Sequence, residues 1–220
     1  MTVLKHPLPL FLLSLAVFHL AEEVPVTSDA TFMLKDYGKR LIIIALCFWF
    51  YGRQLFANSA TAVSGASWQV GRLFISSLLL LLPCMLVNIF LFGESMERPG
   101  HTPPKYPVDD LLFAIDMTIG LVLVAVSEEL VFRKLARDAI RRISRFGIVA
   151  VVISALAFAS IHISNGPGDT LQAFVIGIIF MSWYVRNGRL VPLIVAHYFF
   201  NLLIFTGQID YMVERLVGAG

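Results

Sequence analysis

Cysteine is nearly absent: Cys47 and Cys84 are the only two in 220 residues, and each sits inside an apolar run. Two isolated cysteines give neither a disulfide framework nor a cysteine-based metal spacing, and each reads as a small hydrophobe in a helix. Charge is also scarce, at 15% of residues with a formal net charge of +2. So small an excess gives no reason to propose a nucleic-acid partner. The chain has no HExxH segment, no internal repeat and no low-complexity tract. What it has in excess is apolar residues, 58% of the total, with a mean hydropathy of +0.80. Soluble domains rarely approach that composition.

Seven apolar stretches can be marked, at 8–21, 41–57, 73–92, 111–126, 149–163, 171–185 and 190–205. The third meets the usual ~20-residue criterion for a span by itself, and several others need flanking residues. Spanning segments must satisfy their backbone internally, so helices are expected. The fold class read here is all-α, a polytopic transmembrane helical bundle of about seven spans, with six to eight compatible with the pattern. Residues 1–220 form one membrane domain. The first stretch follows Lys5 and His6 like a signal peptide, but "FHLAEEV" is a poor cleavage site, so it is read as a retained helix.

Lysine and arginine set the expected orientation. With seven spans, one side receives Lys5, Arg53, Arg72, Arg133, Lys134, Arg137, Arg141, Arg142, Arg145, Arg186 and Arg189, eleven in all. The other side receives six, namely Lys35, Lys39, Arg40, Arg98, Lys105 and Arg215. The positive-inside rule then places the N-terminus in the cytoplasm. The basic run from Arg133 to Arg145 reads as an anchor at anionic lipid headgroups.

Ionisable residues inside apolar runs are costly and mark candidate sites. Three places carry them: Glu128 and Glu129 in "VSEELVFRKLARD", His162 in "ALAFASIHIS", and His197 with Asn201 in "LIVAHYFFN". Each has a structural alternative. Glu129 and Arg133 are spaced as an i,i+4 ion pair. His162 could be a satisfied core histidine, and His197 with Asn201 could be interhelical hydrogen-bonding glue. Spacing argues for convergence. If the fourth helix runs on and turns near 145–147, then Glu128 and His162 each lie 17 residues from Arg145. Each arm is then ~25 Å long, which sets both side chains at one height in an antiparallel hairpin. His197 lies eight residues after Arg189, so ~12 Å below the cytoplasmic surface. Ala155, Ala157, Ala159 and Ser160, with Ala173 and Gly177, permit close helix approach around that level.

"EELVFR", "FASIH" and "HYFFN" resemble, in order, the EExxxR, FxxxH and HxxxN motifs of the CPBP family of intramembrane glutamic proteases. That family includes CAAX prenyl endopeptidases and bacteriocin-processing or self-immunity homologues. The resemblance covers about 126–203 and makes 111–206 the expected catalytic core, while 1–110 carries no matching motif. "AEEV" at Glu22 and Glu23 is a decoy, because Thr27 stands where the arginine would be. The resemblance implies Glu128 and His162 as catalytic residues acting on water, and His197 and Asn201 as donors to the transition-state oxyanion. Glu129, Arg133 and Phe158 are implied as supports. It implies no metal and no cofactor.

The substrate so implied is a peptide or protein, lipidated or carrying a C-terminal sorting tail or leader, met among membrane lipids. The short chain is more like a prokaryotic, inner-membrane member. Three other classes compete. A zinc protease would need ligands gathered from three helices. A proton-coupled transporter would use Glu128 and His162 as a relay. A non-proteolytic immunity or partner protein would only bind its target.

Overall fold

A computed structural model describes residues 6–52, 66–92 and 109–208. Among these residues there are seven helices and no strand, and each of the seven apolar stretches contributes to one helix. They are α1 (Pro7–Glu22), α2 (Asp29–Tyr51), α3 (Ala66–Phe92), α4 (Asp110–Ile140), α5 (Gly147–Ser160), α6 (Pro167–Asn187) and α7 (Val191–Phe205). The architecture is an all-α membrane bundle. Phe90 is 89% exposed and Leu34 is 78% exposed, a surface suited to hydrocarbon rather than water. Three helices, α3 over Gly71–Leu91, α4 and α6, are long and apolar enough to cross a bilayer.

The helix ends follow local chemistry. Ser28 caps α2 by accepting from the Thr31 amide, while Thr31 Oγ1 accepts from the Ser28 amide, a reciprocal box that removes two orphan donors. Asp109 caps α4 by accepting from the Leu112 amide at 2.9 Å. Pro167 opens α6 after Gly166, whose φ of 108° suits glycine alone, and Gly188 closes it in the left-handed region.

Helix α4 is interrupted by two π-helical segments, Asp116–Gly120 and Leu130–Leu135, the second starting directly after Glu129. Such wide turns often occur at functional sites. Helix α4 ends at Ile140, one turn short of the expected end near Arg145, because residues 141–143 form a turn. His162 was expected on a helix. It lies instead just beyond the end of α5, capping a short 3₁₀ turn, Ile163–Asn165.

Three contacts lay α2 parallel to α4. The Asp29 carboxylate accepts from the Asp109 amide, Tyr37 donates to Asp116, and Tyr51 donates to Asp138. Helices α5 and α6 meet at Gly177, where an added Cβ would lie 2.9 Å from Ala155 Cα. Gln172 of α6 donates to Asn88 of α3 at 2.7 Å, a buried polar tie between apolar helices. Helix α7 packs against both α3 and the middle of α4, which brings His197 to the two glutamates.

Candidate active site

Glu129 and Arg133 lie one turn apart on α4, and both are fully buried. Arg133 Nε donates to Glu129 Oε2 at 2.9 Å, and Nη2 reaches Oε1 at 3.4 Å. Arg133 Nη1 also donates to Ser154 Oγ on α5 at 3.4 Å. The Ser154 hydroxyl in turn donates to the carbonyl of Phe132, inside the second π segment. The guanidinium stacks over Phe158 at 4.9 Å and Phe180 at 5.5 Å. Charge, hydrogen bonds and two aromatic faces thus surround one buried cation.

His197, on α7, joins the two glutamates. Its Nδ1 lies 2.9 Å from Glu129 Oε1, and its Nε2 lies 3.6 Å from Glu128 Oε2. A carboxylate paired with arginine only accepts, so Nδ1 is the donor there. Every oxygen of Glu129 is therefore hydrogen-bonded. Glu128 differs. It is 4% exposed; its Oε1 accepts from Arg40 Nη1 at 2.9 Å, while its Oε2 accepts no hydrogen bond among the described residues.

His162 is half-buried. Its Nδ1 lies 2.9 Å from the Phe158 carbonyl, which can only accept, so Nδ1 carries a proton and Nε2 faces outward from that bond. The imidazole packs edge-on to Phe158 with centroids 4.8 Å apart, and it interacts electrostatically with Glu128. Phe158 also meets the rings of Phe132 and His197. It is the apolar wall common to both histidines. Asn201 lies one turn after His197, half-buried, and is not joined to this network among the described residues.

Of the seven residues singled out from sequence, the structure therefore links Glu128, Glu129, Arg133 and His197 directly. Phe158 packs among them, and His162 stands beside them. Arg40 was missed. It had been counted as a surface charge, but it is only 7% exposed and comes from α2, outside the 111–206 segment. Arg40 and Arg133 are both buried, so neither belongs in a tally of surface charges. Without them the tally is ten against five, with the same sign as before.

Arg40 is also one step in a file of alternating charges. Lys35 and Lys39 pair with Glu22 at 3.4 and 2.8 Å, Lys39 pairs with Asp36 at 3.1 Å, and Arg40 pairs with Asp36 at 2.9 Å. The file continues through Glu128, His197 and Glu129 to Arg133. Among the described residues, no group of three or more histidine, cysteine, aspartate or glutamate side chains is arranged to hold a metal ion.

Residues 110–203 match the Rce1-like family, described as type II CAAX prenyl endopeptidase Rce1-like. This is the family that the three motifs resemble, and the match spans the whole of α4 through most of α7, a little under half of the chain. No curated protein and no solved structure matches the chain. Over that segment the chain is similar to a family of CAAX-type intramembrane proteases, which are peptide hydrolases.

Proposed function

We propose that the chain is a glutamic-type intramembrane endopeptidase that cleaves a peptide bond near the C-terminus or leader of a membrane-associated protein. One observation carries the choice of base: among the described residues nothing donates to the buried Oε2 of Glu128, whereas both oxygens of Glu129 are bonded. A base needs an open lone pair within reach of the water it deprotonates.

In the proposed reaction, Glu128 Oε2 takes a proton from water while the water oxygen bonds to the scissile carbonyl carbon. His162 Nε2 holds the same water. The tetrahedral oxyanion accepts hydrogen bonds from His197 and Asn201. His197 can donate from Nε2 while Nδ1 donates to Glu129 only as a doubly protonated ring. The C–N bond then breaks, and Glu128 returns its proton to the leaving amine. Glu129, Arg133 and Phe158 hold the helix ends and rings that position these groups. The substrate class is a C-terminal CAAX-prenylated segment, a leader peptide or a sorting tail. The reading includes a multi-pass protein of a prokaryotic inner membrane with a cytoplasmic N-terminus.

A second reading draws on the charge file from Glu22 to Arg133, which has the form of a proton relay. Arginines at two of its steps argue against it, because a guanidinium does not give up its proton in a protein. Purified protein in detergent, given a farnesylated CAAX peptide and a library of unmodified peptides with and without chelator, tests the proposal. Cleavage that survives chelation supports it. Cleavage abolished by chelator points to a metalloprotease, and no cleavage of any peptide by the folded protein overturns the protease reading.

A further inference from the structure

Among the described residues, Arg40 and His197 are the side chains of other helices within ion-pair reach of Glu128. Its guanidinium is committed on both edges. Nε donates to Asp36 Oδ2 at 2.9 Å, and Nη1 donates to Glu128 Oε1 at 2.9 Å and to Ser127 Oγ at 3.2 Å. Asp36 is itself braced by Lys39, which reaches on to Glu22 of α1. Three helices therefore fix the angle from which Arg40 meets Glu128. Arg40 meets Glu128 through Nη1 alone, but Nε is anchored on Asp36, so the planar guanidinium is fixed in angle in a way that a single ammonium is not.

We propose that Arg40 is a positioning residue for Glu128: it caps Oε1, holds the carboxylate in one rotation and leaves Oε2 as the oxygen that meets water. This rests on the protease reading given above. The consequence for catalysis is directional. A carboxylate free to rotate presents its basic oxygen to the reacting water only part of the time. One held by Arg40 presents Oε2 beside His197 Nε2 in every encounter. Arg40 also keeps a fixed positive charge against the ionised form of the base. Because Arg40 is only 7% exposed and its hydrogen bonds go to Asp36, Ser127 and Glu128, its loss acts on turnover rather than on substrate binding.

A plain structural role, tying α2 to α4, would give a different result. It would lower stability and leave the pH dependence of turnover where it was. Among the described residues, the charged and titratable groups facing Glu128 or Arg40 are Asp36 on α2, His197 on α7, His162 after α5 and Asp116 on α4, with Glu129 and Arg133 behind His197. Among the described residues, only the Arg40 change removes a fixed cation that contacts Glu128.

The test is turnover of a farnesylated CAAX peptide against pH by wild-type protein and by Arg40→Met and Arg40→Lys. The expected result for Arg40→Met is a fall in kcat of about 10²-fold, the scale on which small misplacements act, with KM little changed. The acid limb of its profile moves to higher pH, because the fixed cation beside the base is gone. Arg40→Lys, which keeps the charge without the fork, restores most of the limb and part of the rate. Where Arg40→Met does not fold, Arg40→Gln carries the same comparison.

A folded, charge-free variant with the wild-type acid limb overturns the proposal, however slow or unstable it is. A double-mutant cycle of Arg40→Met with Glu128→Gln, read by thermal melting, is independent of catalysis. If the wild type cleaves nothing, the protease reading has failed by itself. The cycle then still decides the pairing: zero coupling overturns it, and positive coupling upholds the contact from which the positioning role is argued.

Discussion

His197 Nδ1 stands 2.9 Å from Glu129 Oε1, and this contact divides the work of two adjacent glutamates. It completes the hydrogen bonding of Glu129 and turns the other ring nitrogen toward Glu128. Two carboxylates that look alike in "SEEL" therefore differ in what they have left to offer. One is part of a closed ion-pair cluster, and the other retains an open oxygen.

That division predicts different failures for the same substitution at neighbouring positions. Glu128→Gln keeps the shape and most of the packing, so peptide cleavage should fall by ~10²–10⁴-fold, the range for loss of a general base. Its melting temperature in detergent should stay close to that of the wild type. Glu129→Gln should instead lower the melting temperature markedly, because Arg133 keeps its buried charge and loses its counter-charge. The reverse pattern, a stable but inactive Glu129→Gln, would move the base to Glu129.

Arg133 tests the same cluster from the other side. Arg133→Met leaves Glu129 buried and without its cation, an arrangement that typically costs ~3–5 kcal/mol. Arg133→Lys should recover only part of this. A lysine keeps the charge, but it cannot pair with Glu129, reach Ser154 and stack on Phe158 and Phe180 at once. Chemical or thermal denaturation of both variants in one detergent makes the comparison. Equal stability of the lysine variant and the wild type would reduce the cluster to simple charge neutralisation.

Much of the fold was legible because long apolar runs leave the chain few options in a bilayer, and all seven runs contribute to helices. What the runs did not reveal lies at their edges. Arg40 stands one residue before the apolar run 41–57, so it read as a loop charge, whereas Ser28 starts α2 twelve residues earlier and carries Arg40 into the bundle. The Asp36 and Arg40 spacing, i,i+4 like Glu129 and Arg133, was the available signal. His162 lies inside the run 149–163, but "NGPG" at 165–168 pulls the chain out of the helix before it. The π segments leave no mark on hydrophobic pattern, because they alter how the backbone winds rather than which residues are apolar.

Close approach of α5 and α6 gives a packing prediction. Gly177→Ala adds a methyl 2.9 Å from the Ala155 backbone, so the two helices must separate. Overpacking of this kind costs ~1–3 kcal/mol. Gly38, in α2, has nothing within 4 Å of an added Cβ. Gly38→Ala should therefore be neutral or stabilising by ~0.5–1 kcal/mol, since alanine is the better helix former. Melting curves of the pair provide an internal control. A neutral Gly177→Ala would mean that the α5–α6 contact is looser than the structure has it.

Topology decides from which side a substrate reaches Glu128. By the positive-inside rule, the basic tally of ten against five predicts a cytoplasmic location for the turn after α4. Helix α4 has 31 residues, ~46 Å at the helical rise and longer than a ~30 Å hydrocarbon core. Its last turns, with Arg137 and the following Arg141 and Arg142, therefore have room to project into the headgroup region. Replacing Cys47 and Cys84 by alanine gives a background without thiols. In it, a cysteine at Arg142 should react with an impermeant thiol reagent only once the cytoplasmic face is opened. A cysteine at Asp110, exposed at the other end of α4, should react in intact cells. Glu128 lies 12 residues before Ile140 along α4, ~18 Å by the same rise, so the side on which Arg142 reacts is the nearer end of α4 for water and peptide. Labelling of the Arg142 site in intact cells would reverse the orientation and move substrate entry to the opposite face.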